Sequence, residues 1–340
     1  MSQIAPTETQ DIIRDLGDGL ILRRATAADV EPLIALNKEI FGQRAPDFVR
    51  HFLSGDWPIC TMKDFTVVED TNAGAIVSSL CLIAQTWSYD GIEFGVGQPE
   101  FVLTRPEYRR RGLIRAQMEV VHEWSEQHGD FVQVITGIPY YYRQFGYEMG
   151  LAFGGFRVGS KAYVEKLKEG EAEPFLVRPA TEDDLPFITA TAAYGQHRYL
   201  VSNSFSIDDW RYILSGWSDE EPMRDLLRVI TTPAGESVGF LAHHSWLRGV
   251  HQIAATAYEL KAGVSWLAVT PGVIRYLCAF GEELGAKSQQ ECATFNFWLG
   301  PAHPVYEVAP TLLSRKWDPY AFYVRVPDLP RFVHHIAPEL

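Results

Sequence analysis

Two stretches of this chain read almost alike. Leu22-Arg23-Arg24-Ala25-Thr26-Ala27-Ala28-Asp29-Val30 returns as Val177-Arg178-Pro179-Ala180-Thr181-Glu182-Asp183-Asp184-Leu185. The offset, about 155 positions, is domain-sized and far longer than a solenoid repeat. Each copy reads as a short apolar strand, a Thr-x-x-Asp helix start and then an apolar helix. A chain of 340 residues has room for two ordinary domains. Two similar α/β domains in tandem is the simplest architecture. The charged stretch 161–174 precedes the second copy and reads as a solvated helix plus linker. The expected division is 1–160, a linker at 161–174, a second domain over 175–330 and a tail at 331–340.

The balance of 46% hydrophobic to 21% charged residues is that of a globular protein. With 43 acidic against 30 basic residues the net charge is -13, a field that repels phosphate backbones and makes nucleic acid an unsuitable general partner. The same field attracts small cationic molecules such as amines, although an acidic excess also serves solubility alone. Cys60, Cys81, Cys278 and Cys292 form no CxxC or Cys/His pairing, which fits buried free thiols in a reducing cytoplasm. His243, His244 and His251 lack partners at metal spacing, so no metal is assigned. Residues 1–11 lack the basic and apolar blocks of a signal peptide. The most apolar long stretch, 264–280, is broken by Pro271, Gly272 and Arg275, against a membrane span.

In the first half, 65–69 and 75–86 read as strands joined at Asn72-Ala73-Gly74, a hairpin signal. Residues 94–104 read as another strand, with Gly95, Gly97 and Pro99 predicting a bulge or kink. From Gly112 the period turns helical, with Ile114, Met118, Val121 and Trp124 on one face and Gly129 at the stop. A strand over 131–136 follows. Between strand and helix lies Thr104-Arg105-Pro106-Glu107-Tyr108-Arg109-Arg110-Arg111-Gly112-Leu113-Ile114-Arg115. A helix N-terminus offers unpaired amides and a positive dipole end, and rim arginines add charge-assisted bonds to an anion. An Arg-rich loop before a helix is also a common solvated turn.

The spacing resembles the acetyl-CoA signature of GNAT acetyltransferases, (Arg/Gln)-x-x-Gly-x-(Gly/Ala) after a strand and a proline-containing turn. Arg109-Arg110-Arg111-Gly112-Leu113-Ile114 fits its first four positions and departs at the last, where Ile114 replaces a small residue. The run Arg-Arg-Arg-Gly-Leu-x-Arg is similar to the enhanced-intracellular-survival branch of that superfamily. The resemblance implies an α/β fold (α+β, mixed sheet) of tandem GNAT-like domains, each a central, mostly antiparallel twisted sheet flanked by helices. It implies acetyl-CoA as co-substrate, with Arg109, Arg110, Arg111, Gly112, Leu113, Ile114 and Arg115 around the diphosphate. It also implies that Val102, Leu103 and Thr104 expose backbone groups to the pantetheine arm, which adds like an extra strand.

Past Gly137 comes Ile138-Pro139-Tyr140-Tyr141-Tyr142-Arg143-Gln144-Phe145-Gly146-Tyr147. In the resembling branch a Tyr-x-x-Phe-Gly-Tyr run supplies the general acid from its first Tyr, which here is Tyr142. A tyrosine near pKa 10 is about 1.5 units harder to deprotonate than a thiol, or about 2 kcal/mol uphill. Aromatic packing is the competing reading for Tyr140, Tyr141, Tyr142 and Tyr147. An alkylamine near pKa 10.4 is neutral in only about one molecule in 2,500 at pH 7, a handicap of about 4.6 kcal/mol that a base would relieve. In the branch the base is the terminal carboxylate of a third, sterol-carrier-like domain, to which residues 320–330 look like a lead-in. Glu100, expected on the same strand face as Val102, is the internal candidate against a structural or exposed role.

In the second half, Ala268-Val269-Thr270-Pro271-Gly272-Val273-Ile274-Arg275 parallels strand and helix start without the intervening arginines. That domain is expected to have lost its cofactor cradle and to shape the acceptor pocket or the oligomeric state. Phe295-Asn296-Phe297-Trp298 and His303-Pro304-Val305-Tyr306 line the pocket or pack in the core. The expected reaction is acetyl transfer to a primary amine of a small, cationic acceptor. Tandem architecture is also similar to mycothiol synthase, and a non-catalytic acyl-CoA sensor is the rival from another class. Aminoglycoside, polyamine, amino-acid amine and protein lysine all stay open as acceptors, as does a homo-oligomer.

Overall fold

The two echoed segments fold into the same local device. Arg23 holds both oxygens of Asp29 at 2.7 and 2.8 Å, and Asp29 accepts the Thr26 amide at 2.7 Å. Arg178 holds Asp184 at 2.7 Å through both nitrogens, and Asp184 accepts the Thr181 amide at 2.8 Å. In each copy an arginine on a strand clamps the aspartate that opens the next helix, so strand direction and helix start are fixed together.

The computed structural model describes residues 12–42, 45–53, 57–217, 224–249 and 251–340. The first half runs β1 (Ile12–Gly17), β2 (Leu20–Arg24), α1 (Val30–Phe41), α2 (Ala45–Leu53), β3 (Phe65–Asp70), β4 (Ala75–Tyr89), β5 (Ile92–Thr104), α3 (Leu113–His128), β6 (Val132–Ile135), β7 (Glu148–Phe153) and β8 (Phe156–Ser160). The second runs β9 (Leu176–Pro179), α4 (Leu185–Gln196), β10 (Val201–Asn203), α5 (Ile207–Ser215), β11 (Asp225–Thr231), β12 (Ser237–His244), β13 (Gln252–Leu260), α6 (Trp266–Ser288), β14 (Thr294–Phe297), α7 (Val305–Val308), β15 (Arg315–Trp317), β16 (Tyr320–Arg325) and α8 (Leu329–Ile336). The stretch 161–174 holds only a single 3-10 turn, Lys161–Tyr163, and no helix. Pro174 and Gly170 (φ +85°) oppose helical continuation there.

Two sheets result, with strand orders β1-β2-β3-β4-β5-β6-β16-β7 and β15-β8-β14-β13-β12-β11-β9, and β10 paired to the outer end of β4. Each is antiparallel except at one parallel pair, β5–β6 in the first and β13–β14 in the second. The architecture is thus a mixed α/β fold of two similar, mostly antiparallel sheets, as the tandem reading predicts. The sheets do not part the chain at 160 and 175, however. The first inserts β16, from the far end of the chain, between β6 and β7, and the second takes β8 from the first half.

α3 covers one face of the first sheet through Leu113, Ala116, Met118, Val121 and Trp124, and α1 and α2 cover the other through Leu33, Leu36 and Phe52. Ile114 is only half-buried, and the helix face is carried by Leu113 instead. Gly95 and Gly97 mark a close approach, because a Cβ on Gly97 would lie 2.5 Å from the Ser125 hydroxyl and 2.8 Å from Asp130. The four cysteines are free and buried. Among the described residues no helix is long and apolar enough to cross a membrane.

Candidate active site

The loop between β5 and α3 begins with a 3-10 turn at Pro106–Tyr108 and then reverses twice, with φ of +63° at Arg110 and +76° at Gly112. The α3 ladder opens with the Ala116 amide donating to the Gly112 carbonyl at 3.1 Å. Among the described residues, none of the amides of 110–115 donates to a backbone carbonyl. Six consecutive donors are therefore without a backbone acceptor at the positive end of a helix of 16 residues, the kind of place where anions bind. Beneath it the Gln117 amide donates to Ser78 at 2.7 Å, and Ser78 contacts the Thr104 hydroxyl at 2.8 Å, so the helix start is tied to both strands.

The arginines divide the rim. Arg109 donates to the Thr104 carbonyl at 3.3 Å, and Arg111 lies 3.6 Å from Asp18 and over the Tyr108 ring. Arg115 donates to Gln144 at 3.0 Å across the Phe145 ring. Arg110 is exposed and pairs with no described carboxylate, which leaves it free for an incoming anion. Ile114 packs partly against the core under α3. A bulky residue is therefore accommodated at that signature position, its side chain turned toward the core.

β5 and β6 pair at Val96–Val132 and Gly97–Gln133 and then separate. Beyond Gln98 the β5 edge that faces β6, including Val102, Leu103 and Thr104, has no partner strand. The predicted irregularity lies at Phe101 rather than at the glycines. Between Ser79–Leu103 and Cys81–Glu100 the register gains one residue, and Phe101 takes φ +52°. At this bulge Phe101 packs on the α1/α2 side and Glu100 borders the same cavity as Phe52 and Trp57, whereas Val102 packs under α3. Glu100 and Val102 thus do not share a face, contrary to the strict alternation assumed for an unbroken strand.

Glu100 is half-buried and borders a cavity of about 710 Å3. A chain of hydrogen bonds ends on it. Trp87 can only donate, so Gln85 presents its oxygen, at 2.7 Å. The Gln85 amide then donates to Gln98 at 2.6 Å, and the Gln98 amide to Glu100 at 2.9 Å. Burial raises the Glu100 pKa above the usual carboxylate value, and the Gln98 bond acts against that shift.

Tyr142 sits on a 3-10 turn, Tyr141–Phe145, entered through Tyr140 at φ +64° and left through Gly146. It is 5% exposed, and no described residue hydrogen-bonds its hydroxyl. Burial, and after it the Glu100 charge, pushes its pKa well above the ordinary tyrosine value. Tyr142 is thus fully protonated at any working pH but a reluctant donor. Tyr147 is buried against His122 at 2.9 Å and Tyr140 is exposed, both outside the cleft chemistry. Two residues that sequence reasoning assigned to a lead-in for another domain hold this loop. The Tyr323 hydroxyl accepts the Tyr140 amide, and Tyr320 donates to the Gly137 carbonyl at 3.0 Å. Only the aromatic alternation of Tyr320-Ala321-Phe322-Tyr323 could have signalled a core strand there.

The equivalent cleft in the second sheet is filled. Residues 268–270 are not a strand, as the sequence parallel suggested, but lie in the first turns of α6, which is capped by Ser265 and runs through Pro271. The true counterpart of β5 is β13, and His303 occupies its open edge. His303 donates from Nε2 to the Tyr258 carbonyl at 2.7 Å and accepts the Val305 amide on Nδ1 at 3.2 Å. Burial holds this imidazole neutral, with its pKa lowered to about 3. His303 and Tyr306 therefore plug the second cleft rather than line the first. His243 and His244 are spent on Tyr276 and Asp225 at 3.0 and 2.7 Å. Among the described residues no three His, Cys, Asp or Glu side chains cluster as metal ligands.

Comparison with known proteins bears on this geometry. A family profile described as acetyltransferase (GNAT) domain matches residues 22–150. A GCN5-related N-acetyltransferase from Kribbella flavida is similar in structure, with TM-score 0.62 at 17% identity over 92% of this chain and 73% of that one. A probable N-acyltransferase from Enterococcus faecalis V583 aligns with TM-score 0.64 at 12% identity over 92% and 74%. Saccharomyces cerevisiae N-myristoyltransferase with bound myristoyl-CoA aligns with TM-score 0.63 at 11% identity over 94% and 85%. At such identities these likenesses are of fold. No curated protein sequence matches the chain.

Proposed function

We propose, for a chain whose residues 22–150 are an acetyltransferase (GNAT) domain and which is an acyltransferase on that ground, that it transfers acetyl from acetyl-CoA to a primary amine. One observation carries this reading: the unpaired amides of 110–115 stand at the end of an open β5 edge whose bulge brings a half-buried carboxylate to a cavity. The amides and Arg110 would take the diphosphate, and the edge at 102–104 the pantetheine amides. The Arg109–Arg115 run and the tandem sheets favour the enhanced-intracellular-survival branch. The four buried free thiols suit a reducing cytoplasm.

Glu100 accepts one proton of the incoming ammonium. The freed nitrogen lone pair attacks the thioester carbonyl, the C–S bond breaks as Tyr142 protonates the departing sulfur, and the excess proton left on the acylated nitrogen passes to the Tyr142 phenolate, giving the neutral amide and restoring the phenol. Its raised pKa means that Tyr142 gives up its proton only as thiolate charge develops. A carboxylate and a phenol flanking the parted strands favour an enzyme over a CoA sensor, which needs neither. The test is release of free CoA thiol with an amine panel, in wild type and Glu100→Gln. The expected loss is about 100-fold or more in kcat with CoA affinity unchanged. CoA binding without amine-dependent thiol release in wild type would leave only the sensor.

A further inference from the structure

The cavity beside Glu100 is built by both halves of the chain. Phe52, Trp57, Ile83 and Phe101 come from the first, and Phe205 and Ile213 from the second. Its volume of about 710 Å3 is that of a site for one drug-sized molecule. No lysine, arginine or histidine is among its described lining residues, and the carboxylates there are Glu100 and Asp209. Asp209 is committed to the start of α5, where one oxygen accepts both the Ser206 amide and the Ser206 hydroxyl at 2.7 Å. The acidic excess of the whole chain is therefore not concentrated here.

Among the described lining residues the carboxylate not engaged in a helix cap is Glu100, at the floor. The donor chain from Trp87 through Gln85 and Gln98 delivers its last N–H to Glu100 Oε2. Asn203 adds a second donor to Gln85 at 3.3 Å. Above the floor the walls are aromatic and aliphatic, broken by the Ser204 hydroxyl, which is buried without a hydrogen-bond partner. A second or third ammonium on the acceptor would lie against Trp57, Phe101 or Ile213, where among the described lining residues only the helix-capping Asp209 carries a carboxylate. Unpaired buried charge is strongly disfavoured. An aromatic or alkyl body fills the same space favourably.

We propose, resting on the transferase reading above, that the acceptor is a primary monoamine on an apolar body of arylalkylamine type. Its nitrogen meets Glu100 and its body lies between the aromatic walls. Polyamines and aminosugars are excluded by the walls rather than by size.

The test uses the full-length protein with acetyl-CoA and reads thiol release. The acceptors are 2-phenylethylamine, tryptamine, spermidine and a kanamycin-type aminoglycoside. The expected order places the two arylalkylamines at least 100-fold above spermidine and the aminoglycoside in kcat/KM. Phe205→Asp, at a partly exposed wall position, is expected to raise the ratio of spermidine to phenylethylamine turnover at least tenfold. Spermidine or the aminoglycoside turned over as well as the arylalkylamines would overturn the monoamine assignment and leave the transferase standing. Thiol release with none of the four, in protein that still binds CoA, would instead remove the transferase reading and this assignment with it.

Discussion

Replacing Gly112 by alanine separates backbone strain from ligand binding. Gly112 has φ +76° and ψ 7°, and a Cβ built on it meets no atom within 4 Å. The folded protein therefore suffers no clash. Its loss is the left-handed penalty alone, about 1 kcal/mol for a non-glycine residue. Gly74, in the turn between β3 and β4, has φ +61° and an equally open surround, so Gly74→Ala carries the same penalty far from the cradle. On the proposed reading, the open space at Gly112 is where the diphosphate would approach the amides. A methyl group there forfeits at least one hydrogen bond to a charged oxygen, worth about 1.5–3 kcal/mol, or about 10- to 150-fold in affinity. Calorimetric titration with CoA and thermal unfolding measure the two effects. Both variants should lose similar stability, and only Gly112→Ala should lose CoA. If the two variants bind CoA as wild type does, the diphosphate does not sit on these amides, and the site must be sought elsewhere.

Tyr142→Phe should lower kcat by about 100-fold while leaving the CoA dissociation constant within twofold, read by stopped-time thiol release and calorimetry; a change in affinity alone would make Tyr142 a packing residue. Acid should destabilise the fold from pH 6.5 downward. His243 and His303 are buried neutral with pKa values near 4 and 3, so below 6.5 the unfolded chain binds protons that the folded one refuses. That stability is complete above pH 6.5 and falls by about 2 kcal/mol per histidine at pH 5; His303→Gln should flatten this slope in denaturant titrations. Residues 1–160 expressed alone should fail to yield a soluble, active enzyme, and co-expression with 161–340 should restore thiol release; full activity of 1–160 alone would contradict the strand exchange.

Much of the local structure was legible because it depends on neighbours in sequence. Thr26 and Asp29, or Thr181 and Asp184, lie three residues apart, and their capping geometry follows from that spacing. The loop Arg109–Arg115 and α3 announce themselves through charge and a 3.6-residue period, and Gly129 ends the helix at φ +83°. What stayed hidden depends on partners far along the chain. The bulge at Phe101 is set by register against Ser79 and Cys81, not by the nearby glycines, which serve the approach of Ser125 and Asp130. α6 continues through Pro271 because the carbonyl deprived of its bond is that of Leu267, 66% exposed at the helix start. Glu100 looked incidental because the bulge that turns it inward could not be seen.

The strand exchange explains why a second sheet with a plugged cleft is retained. β16 lies inside the first sheet, with Phe322 6% and Tyr323 0% exposed. Burying two such aromatics contributes about 3–6 kcal/mol, comparable with the entire net stability of an ordinary domain. Removing the second half would therefore open the first sheet between β6 and β7. It would also release Tyr323 from the Tyr140 amide and Tyr320 from the Gly137 carbonyl, the bonds that fix the turn carrying Tyr142. The same half supplies Asn203, Phe205 and Ile213 to the cavity. With His303 and Tyr306 buried in its own cleft, the second half serves as a support for the first, contributing one wall of the cavity beside Glu100 and the anchors of the turn that carries Tyr142.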